Sequence, residues 1–164
     1  MKRFFIIFLS VALGIGSLVT SIFFGFLFLN QKKVISSLPD YESKEFYTNE
    51  DSFQDYTDYA KYIYDNITIQ DLEFSECFTV ITVDDVDEIT SYIDDFEGWV
   101  ELCGGDLKQN YDFDKSIVTE GDFFYLDTKY GEKIGQKIYG KFDNYSVYYF
   151  DIDTQILYYF HNNI

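Results

Sequence analysis

One histidine, two cysteines and several close pairs of carboxylates are the residues whose types could do chemistry. His161 is the only histidine in the 164 residues, so any Ser-His-Asp or Cys-His site would have to use it. A lone histidine near the end of a strand is more often a filler than a catalyst, and no catalytic residue is assigned. A closed zinc site takes four Cys or His ligands, and the chain has only three such residues. We therefore expect no cofactor and no metal.

Three acidic segments have a spacing seen among ligands of hard cations: residues 84–88, Asp112 with Asp114, and Asp151 with Asp153. Calcium needs six to eight converging oxygens, and none of these segments has the D-x-D-x-D-G run with a distal Glu. In a chain with 29 acidic residues such pairs arise by chance. Two carboxylates facing each other across a cleft would hydrolyse a glycosidic bond, and this alternative stays open at the level of sequence.

The two cysteines flank the clearest strand and helix of the chain. Cys77 begins a predicted strand over 77–83, and Cys103 ends a predicted helix over 86–103. The strand advances roughly 20 Å at ~3.3 Å per residue, and the helix returns roughly 25 Å at ~1.5 Å per residue. An antiparallel arrangement brings both sulfurs to the same end. This predicts a Cys77–Cys103 disulfide; the alternative is two buried free thiols that act as small apolar residues.

Two helices and four strands must position these residues. A helix is predicted over 50–65, where four apolar residues share one face. The helix over 86–103 has apolar residues at alternating spacings of three and four, a capping-box start at Asp85, and a glycine stop at Gly104. The strands are predicted over 77–83, 122–127, 145–152 and 156–161, the last two forming a hairpin. This order predicts an α+β fold: an antiparallel sheet of about four strands packed by two helices.

The C-terminal hairpin is rich in tyrosines that alternate between its two faces. One face therefore becomes a candidate binding surface, because tyrosine is favoured at interfaces. The alternative is a sheet covered on both faces, with tyrosine as a half-buried filler. The candidate residues are Tyr145, Tyr148, Tyr149, Tyr158 and Tyr159.

The first 33 residues predict a single transmembrane anchor with basic flanks. Residues 4–29 contain no charge, and 18 of these 26 positions are Phe, Ile, Leu or Val. A helix of this length is ~39 Å long and spans a hydrocarbon core of ~30 Å. A cleaved signal peptide is the alternative, but cleavage near Gly16 would leave an apolar tail exposed on the mature protein. Residues 34–49 are predicted to be a tether, and residues 50–164 an acidic soluble domain.

Small residues recur along one side of the predicted anchor, and such stripes let two transmembrane helices approach closely. The stripe is a candidate for helix–helix contact and self-association. Its members are Ser10, Gly14, Ser17, Ser21 and Gly25. The basic residues on both sides of the span weakly favour a cytoplasmic N-terminus, which places the C-terminal domain outside the membrane.

The charge of residues 34–164 limits the classes of function. Eight lysines stand against 29 acidic residues, a net charge of −21 at neutral pH. Nucleic-acid binding needs a basic stripe, and the lysines are interpreted as scattered, so we expect no nucleic-acid partner. We expect a membrane-anchored extracytoplasmic binding or accessory module that contacts a protein or envelope component. The alternatives are a carboxylate-based hydrolase of an envelope substrate and a small subunit of a membrane complex.

The anchor leads to a first prediction. Because the apolar stretch is long enough to span a bilayer, the full-length protein should stay in the pellet after extraction with alkaline carbonate. Mass spectrometry of the pelleted protein should detect the N-terminal peptide. A soluble form that begins after Gly16 or Ser21 would instead support a cleaved signal peptide.

Overall fold

The computed structural model describes residues 33–49 and 56–164. The chain divides into two compact units, residues 1–38 and residues 39–164. The predicted anchor and its stripe of small residues lie outside the described residues, and of the first unit only residues 33–38 are described, with a helical turn at 33–35. Within the described ranges, no helix has the length and apolar character needed to cross a membrane. The remaining described residues belong to the second unit.

The second unit is an α+β fold built on a six-stranded antiparallel sheet. The strand order across the sheet is β1-β2-β8-β7-β4-β3, and β5 and β6 form a separate two-stranded ribbon. The strands are β1 (Ser43–Asn49), β2 (Tyr56–Ile63), β3 (Thr79–Val80), β4 (Phe123–Thr128), β5 (Lys133–Ile134), β6 (Lys137–Ile138), β7 (Asn144–Asp151) and β8 (Ile156–Asn163). The helices are α1 (Ile69–Phe74), α2 (Val83–Cys103) and α3 (Gly105–Asn110), followed by a 3-10 turn at Lys115–Ile117.

Helix α2 confirms the predicted long helix but begins three residues earlier. Its N-cap is Thr82, and the side chain of Asp85 accepts a hydrogen bond from the Thr82 backbone N–H at 2.9 Å. The capping box is therefore Thr82 with Asp85, and not Asp85 with Glu88. Gly104 ends the helix with a φ of +66°, a left-handed conformation that glycine adopts without strain.

The main core lies between α2 and one face of the sheet. Helix α2 buries one stripe of apolar residues: Ile89, Tyr92, Ile93, Phe96 and Val100. Phe96 packs edge-on against Phe160 of β8, with ring centroids 5.4 Å apart, and also contacts Tyr59 of β2. Phe113, which follows α3, closes the same core by packing against Phe160 at 4.9 Å.

The opposite face of the sheet is also apolar and buried. Tyr62 of β2, Phe150 of β7 and Leu157 of β8 are each at most 2 % exposed. Tyr64 packs on Phe150 at 5.9 Å, and Tyr41 packs on Tyr62 at 5.2 Å. The sheet is therefore lined by apolar residues on both faces. This explains why the C-terminal hairpin carries aromatic residues on both of its faces.

The N-terminal part of the domain differs from the prediction. Residues 56–63, predicted as part of a helix over 50–65, form strand β2, and residues 43–49 of the predicted tether form strand β1. Both faces of the sheet are buried at β2, so apolar residues occur on both faces of the strand. Without strict alternation of apolar and polar residues, their spacing in the sequence also fits a helix. The predicted strand over 77–83 is reduced to β3, because Thr82 begins α2. The sheet has six strands instead of about four.

The C-terminal strands confirm the prediction. Strands β7 and β8 pair in antiparallel register from Asn144 opposite Asn163 to Asp151 opposite Ile156. Asp151 holds the turn between them, since its carboxylate accepts hydrogen bonds from the backbone N–H of Asp153 at 2.9 Å and the Thr154 hydroxyl at 2.6 Å.

Packing of α2 on the sheet predicts that two phenylalanines differ greatly in their contribution to the free energy of unfolding. Phe96 is fully buried, whereas Phe74 at the end of α1 is 74 % exposed. We expect Phe96→Ala to lower the free energy of unfolding by about 3–5 kcal/mol and Phe74→Ala to change it by less than about 0.5 kcal/mol. Urea titration of the full-length protein in detergent, followed by Trp99 fluorescence, measures both. Equal effects of the two variants would contradict this core.

Candidate functional site

The five tyrosines predicted as a binding surface are divided between the two faces of the sheet. Each is at most 9 % exposed, so they form no exposed surface in this structure. On the α2 face, the Tyr145 hydroxyl donates to Asp95 at 2.9 Å, and the Tyr149 hydroxyl lies 2.8 Å from Asp122. Burial raises the pKa of Tyr145 and of Tyr149 well above the ordinary value, so both stay protonated donors. The alternative interpretation, a sheet covered on both faces, fits these positions.

His161 lies in a row of polar residues that crosses the face opposite α2. It pairs in register with Asp58 on one side and with Ser146 on the other, and Ser146 pairs in turn with Asp127. The Ser146 hydroxyl and His161 Nδ1 are 2.8 Å apart. The rings of Tyr56 and Tyr159 pack on the imidazole, with centroids at 5.0 and 6.1 Å.

The Ser146–His161 pair has the residue types of a nucleophile and its base, but not the setting. His161 is 6 % exposed, and burial lowers the pKa of its imidazole to about 4. A general base works best with a pKa near the operating pH, so this imidazole is a weak one. Ser146 lies within a strand that pairs with a neighbour on each side. The backbone N–H groups there form hydrogen bonds within the sheet and are not directed at an oxyanion. We interpret the pair as a structural polar contact.

The acidic segments also have structural partners. Asp85 caps α2, Asp114 accepts from the Ser116 backbone N–H at 3.0 Å, and Asp151 holds the β7–β8 turn. Asp112 accepts from the Tyr59 hydroxyl at 2.9 Å and from Lys61 at 2.7 Å. Among the described residues, no group of three or more His, Cys, Asp or Glu side chains could hold a metal ion.

The predicted Cys77–Cys103 disulfide is not formed, and both cysteines are free. Cys77 is close enough to Tyr125 and Tyr148 to contribute to raising the pKa of both. Those tyrosines lie on the face of the sheet opposite α2, whereas Cys103 is the last residue of α2 itself. The reduction of the predicted strand to β3 removes the straight antiparallel path on which the pairing depended.

A basic ribbon that the sequence analysis missed is the most distinctive charged feature of the domain. Residues 129–141, here called the basic hairpin, contain β5, β6 and the tight turn between them. The segment holds half of the eight lysines of residues 34–164 and a single acidic residue, Glu132. Its lysines are Lys129, Lys133, Lys137 and Lys141. Their recurrence at every fourth position was the available signal; it was missed because the glycine-punctuated stretch fits neither a helix nor a long strand.

Most lysines outside the basic hairpin are paired with carboxylates. Lys61 bridges Glu45 and Asp112, each at 2.7 Å. Lys115 bridges Asp94 and Glu97, and Lys108 pairs with Glu101. Lys44 lies over the rings of Phe46 and Tyr62.

Three of the four lysines of the basic hairpin lie over aromatic rings. Lys129 and Lys137 lie over the ring of Tyr139, at 5.6 and 4.9 Å from its centroid. Lys141 lies over Tyr92 at 5.0 Å. Within the described part of the chain, none of the four is in an ion pair with an Asp or Glu side chain, but the Lys137 ammonium donates a hydrogen bond to the main-chain oxygen of Ile164 at 2.9 Å. Tyr130, beside Lys129, is 64 % exposed.

The sheet places the basic hairpin at a defined end of the domain. It follows β4 at Thr128, which pairs with Tyr145 at the start of β7. The chain enters the sheet at Ser43, which pairs with Ile63 at the opposite end of the strands. Strands of seven or eight residues separate these ends by roughly 25 Å at ~3.3 Å per residue.

No family model, curated protein or solved structure matches this chain. The geometry and charge of the domain are therefore the basis on which a function is proposed. Of the features described above, the basic hairpin combines exposed position with lysines that form no ion pair with an Asp or Glu among the described residues.

The buried imidazole of His161 predicts a dependence of stability on pH. Its pKa is about 4 in the folded protein against an ordinary value of 6.5, so between these values the unfolded chain binds more protons. The free energy of unfolding should therefore fall as the pH drops from about 6.5 to 4. Each unit of difference between the folded and unfolded pKa values corresponds to about 1.4 kcal/mol. This part of the loss should be absent from His161→Gln. Urea titrations of both proteins across this range measure it; parallel profiles would contradict a buried neutral imidazole.

Proposed function

We propose that this chain is a membrane-anchored binding module whose domain, outside the membrane, contacts its partner through the basic hairpin. The observation that carries the proposal is a segment with four lysines and one acidic residue in a domain of net charge −21. A lysine that forms no ion pair with an Asp or Glu among the described residues is available to an external anionic group. Such complementarity fixes orientation and speeds association more than it adds affinity.

The position and packing of the basic hairpin support a contact surface. It lies at the end of the sheet opposite the entry of the chain from the predicted anchor. Two of its lysines are held against the ring of Tyr139, which orders their ammonium groups before any partner arrives. Preorganised side chains lose less entropy on binding. Tyr130 and Ile138, each 64 % exposed, add apolar contact area beside the charges.

A binding module is favoured over a carboxylate hydrolase by the roles of the buried acids. Both oxygens of Asp122 are engaged, because Oδ1 accepts from the Ile152 backbone N–H and Oδ2 from the Thr119 hydroxyl. Asp95 accepts from the Tyr145 hydroxyl, although burial raises its pKa. These contacts hold turns and core tyrosines, so the carboxylates of Asp122 and Asp95 have structural roles.

Neutralising two exposed lysines of the hairpin tests the proposal. The hairpin variant is Lys133→Gln with Lys137→Gln. The control variant, Lys108→Gln with Lys115→Gln, removes the same charge from lysines that pair with carboxylates. We expect chemical crosslinking in intact cells, followed by purification in detergent, to recover one stoichiometric partner with the wild type and the control, and at least tenfold less with the hairpin variant.

Two results would contradict the proposal. Equal recovery of the partner with all three proteins would remove the hairpin as the contact surface. Loss of the partner only on replacing Gly14 and Ser21 by Leu would favour the small-subunit alternative, because those residues belong to the predicted stripe of the anchor. Thermal unfolding of each variant checks that the domain remains folded.

A further inference from the structure

We infer that the partner of the basic hairpin is a second copy of this chain, which receives the hairpin on the acidic first turns of its helix α2. This inference rests on the proposed function and names the partner of that surface. The observation that carries it is a pair of oppositely charged regions on one domain. Residues 129–141 hold four lysines and one acidic residue, whereas α2 holds eight acidic residues and no basic one. Interfaces place regions of opposite potential against each other, so each region matches the other.

The two charged regions adjoin in each molecule. The Lys141 ammonium, at the end of the hairpin, donates a hydrogen bond to the Ser91 hydroxyl of α2 at 3.0 Å and lies over the ring of Tyr92. Burial raises the pKa of Tyr92, and both Glu88 of α2 and Tyr130 of the hairpin lie close enough to its hydroxyl to raise it further. The base of the hairpin therefore lies beside the first turns of α2.

Three exposed carboxylates of α2 form no ion pair among the described residues. They are Asp84, Asp87 and Glu88, here called the acidic turns. The other acidic residues of α2 are engaged in the helix cap, in a hydrogen bond to a core tyrosine or in ion pairs with lysines. The acidic turns are thus the part of α2 that can receive a lysine from outside.

The hairpin lysines are not paired with the acidic turns of their own molecule. Lys133 and Lys137 are exposed, and neither is in an ion pair with an Asp or Glu in the described part of the chain. The Lys137 ammonium donates one hydrogen bond to the main-chain oxygen of Ile164 at 2.9 Å. An ammonium group has three donors, so two remain for a partner.

Adjacent regions of opposite charge make a surface complementary to itself under a two-fold rotation. The rotation brings the hairpin of each copy onto the acidic turns of the other, so the same contact forms twice. An unrelated acidic protein gains only the contact with the hairpin and leaves the acidic turns without a partner. A second copy supplies both halves, and this selects it over other acidic partners.

Exposed apolar residues accompany both regions, and the predicted anchor favours the encounter. Tyr130 and Ile138 of the hairpin are each 64 % exposed, and Val83, one helical turn before Asp87, is 68 % exposed. The net charge of the domain opposes association weakly, because exposed charges are screened beyond about 8 Å at physiological salt. An anchor with a stripe for helix–helix contact holds two copies together, which raises the effective concentration for a second contact between their domains.

The test exchanges the charges of the two regions in the full-length protein. The reversed hairpin carries Lys133→Glu with Lys137→Glu, and the reversed helix carries Asp87→Lys with Glu88→Lys, which leaves the cap of α2 intact. Copies with two different N-terminal tags are co-expressed, and the recovery of one tag with the other is measured in neutral detergent at low and high salt.

We expect each reversed variant to pair with itself at least tenfold less than the wild type does, because charges of the same sign then meet at both contacts. The two variants should pair with each other as well as the wild type, since each hairpin then faces acidic or basic turns of opposite charge. A chain that carries all four substitutions should again pair with itself. Pairing of the wild type should weaken at high salt.

The other outcomes overturn the inference in distinguishable ways. If each variant fails to pair with itself and the two also fail to pair with each other, although thermal unfolding shows both folded, the hairpin does not meet the acidic turns. If neither variant changes pairing, while Lys133→Gln with Lys137→Gln still loses its crosslinked partner in cells, the partner is another protein and the proposed function stands. If neither pairing nor the crosslinked partner is affected, both fail.

Discussion

The hydrogen bond between a buried tyrosine hydroxyl and a carboxylate is the interaction on which this domain depends. Its core is built largely from tyrosine, and a buried hydroxyl without a partner costs free energy. On the α2 side of the sheet the domain meets this demand by placing acidic side chains at the edge of the core, whereas the buried Tyr64 hydroxyl on the opposite side has no hydrogen-bond partner among the described residues. The pairs are Tyr59 with Asp112, Tyr111 with Glu97, Tyr145 with Asp95 and Tyr149 with Asp122, at 2.8 to 3.2 Å. Burial and the adjacent carboxylate together raise the pKa of each tyrosine and keep it protonated.

This interaction explains part of the acidic composition without any enzymatic role. A carboxylate that accepts a tyrosine hydrogen bond is oriented and partly desolvated, and it is engaged in holding an element in place. Asp112 joins β2 to the segment after α3 through Tyr59 and Lys61, and Asp122 joins the start of β4 to β7 through Tyr149. The only histidine fits the same principle: His161 fills a polar position in a sheet covered on both faces and contacts Ser146.

The lysines divide into two groups according to the side chains that they contact. Lys108 and Lys115 pair with carboxylates of α2, and Lys61 bridges Glu45 of β1 and Asp112 after α3. In the basic hairpin, three of the four lysines lie over aromatic rings. Charge that a fold does not use internally is available for recognition, and this division is the physical basis of the proposed binding surface.

The sequence by itself determined the elements whose signals are local. Helix α2 could be predicted because its apolar residues keep one helical face and its ends carry a capping box and a glycine, and the β7–β8 hairpin because its strands are continuous and its turn is short. Tertiary structure decided the rest. Strand β2 shows two apolar faces because the sheet is buried on both sides, and this pattern is indistinguishable from a helix until the layers are known. Likewise, the burial of the tyrosines and the ring contacts of the hairpin lysines depend on which distant elements meet. Long-range packing settles such facts, and no local spacing of residues encodes them.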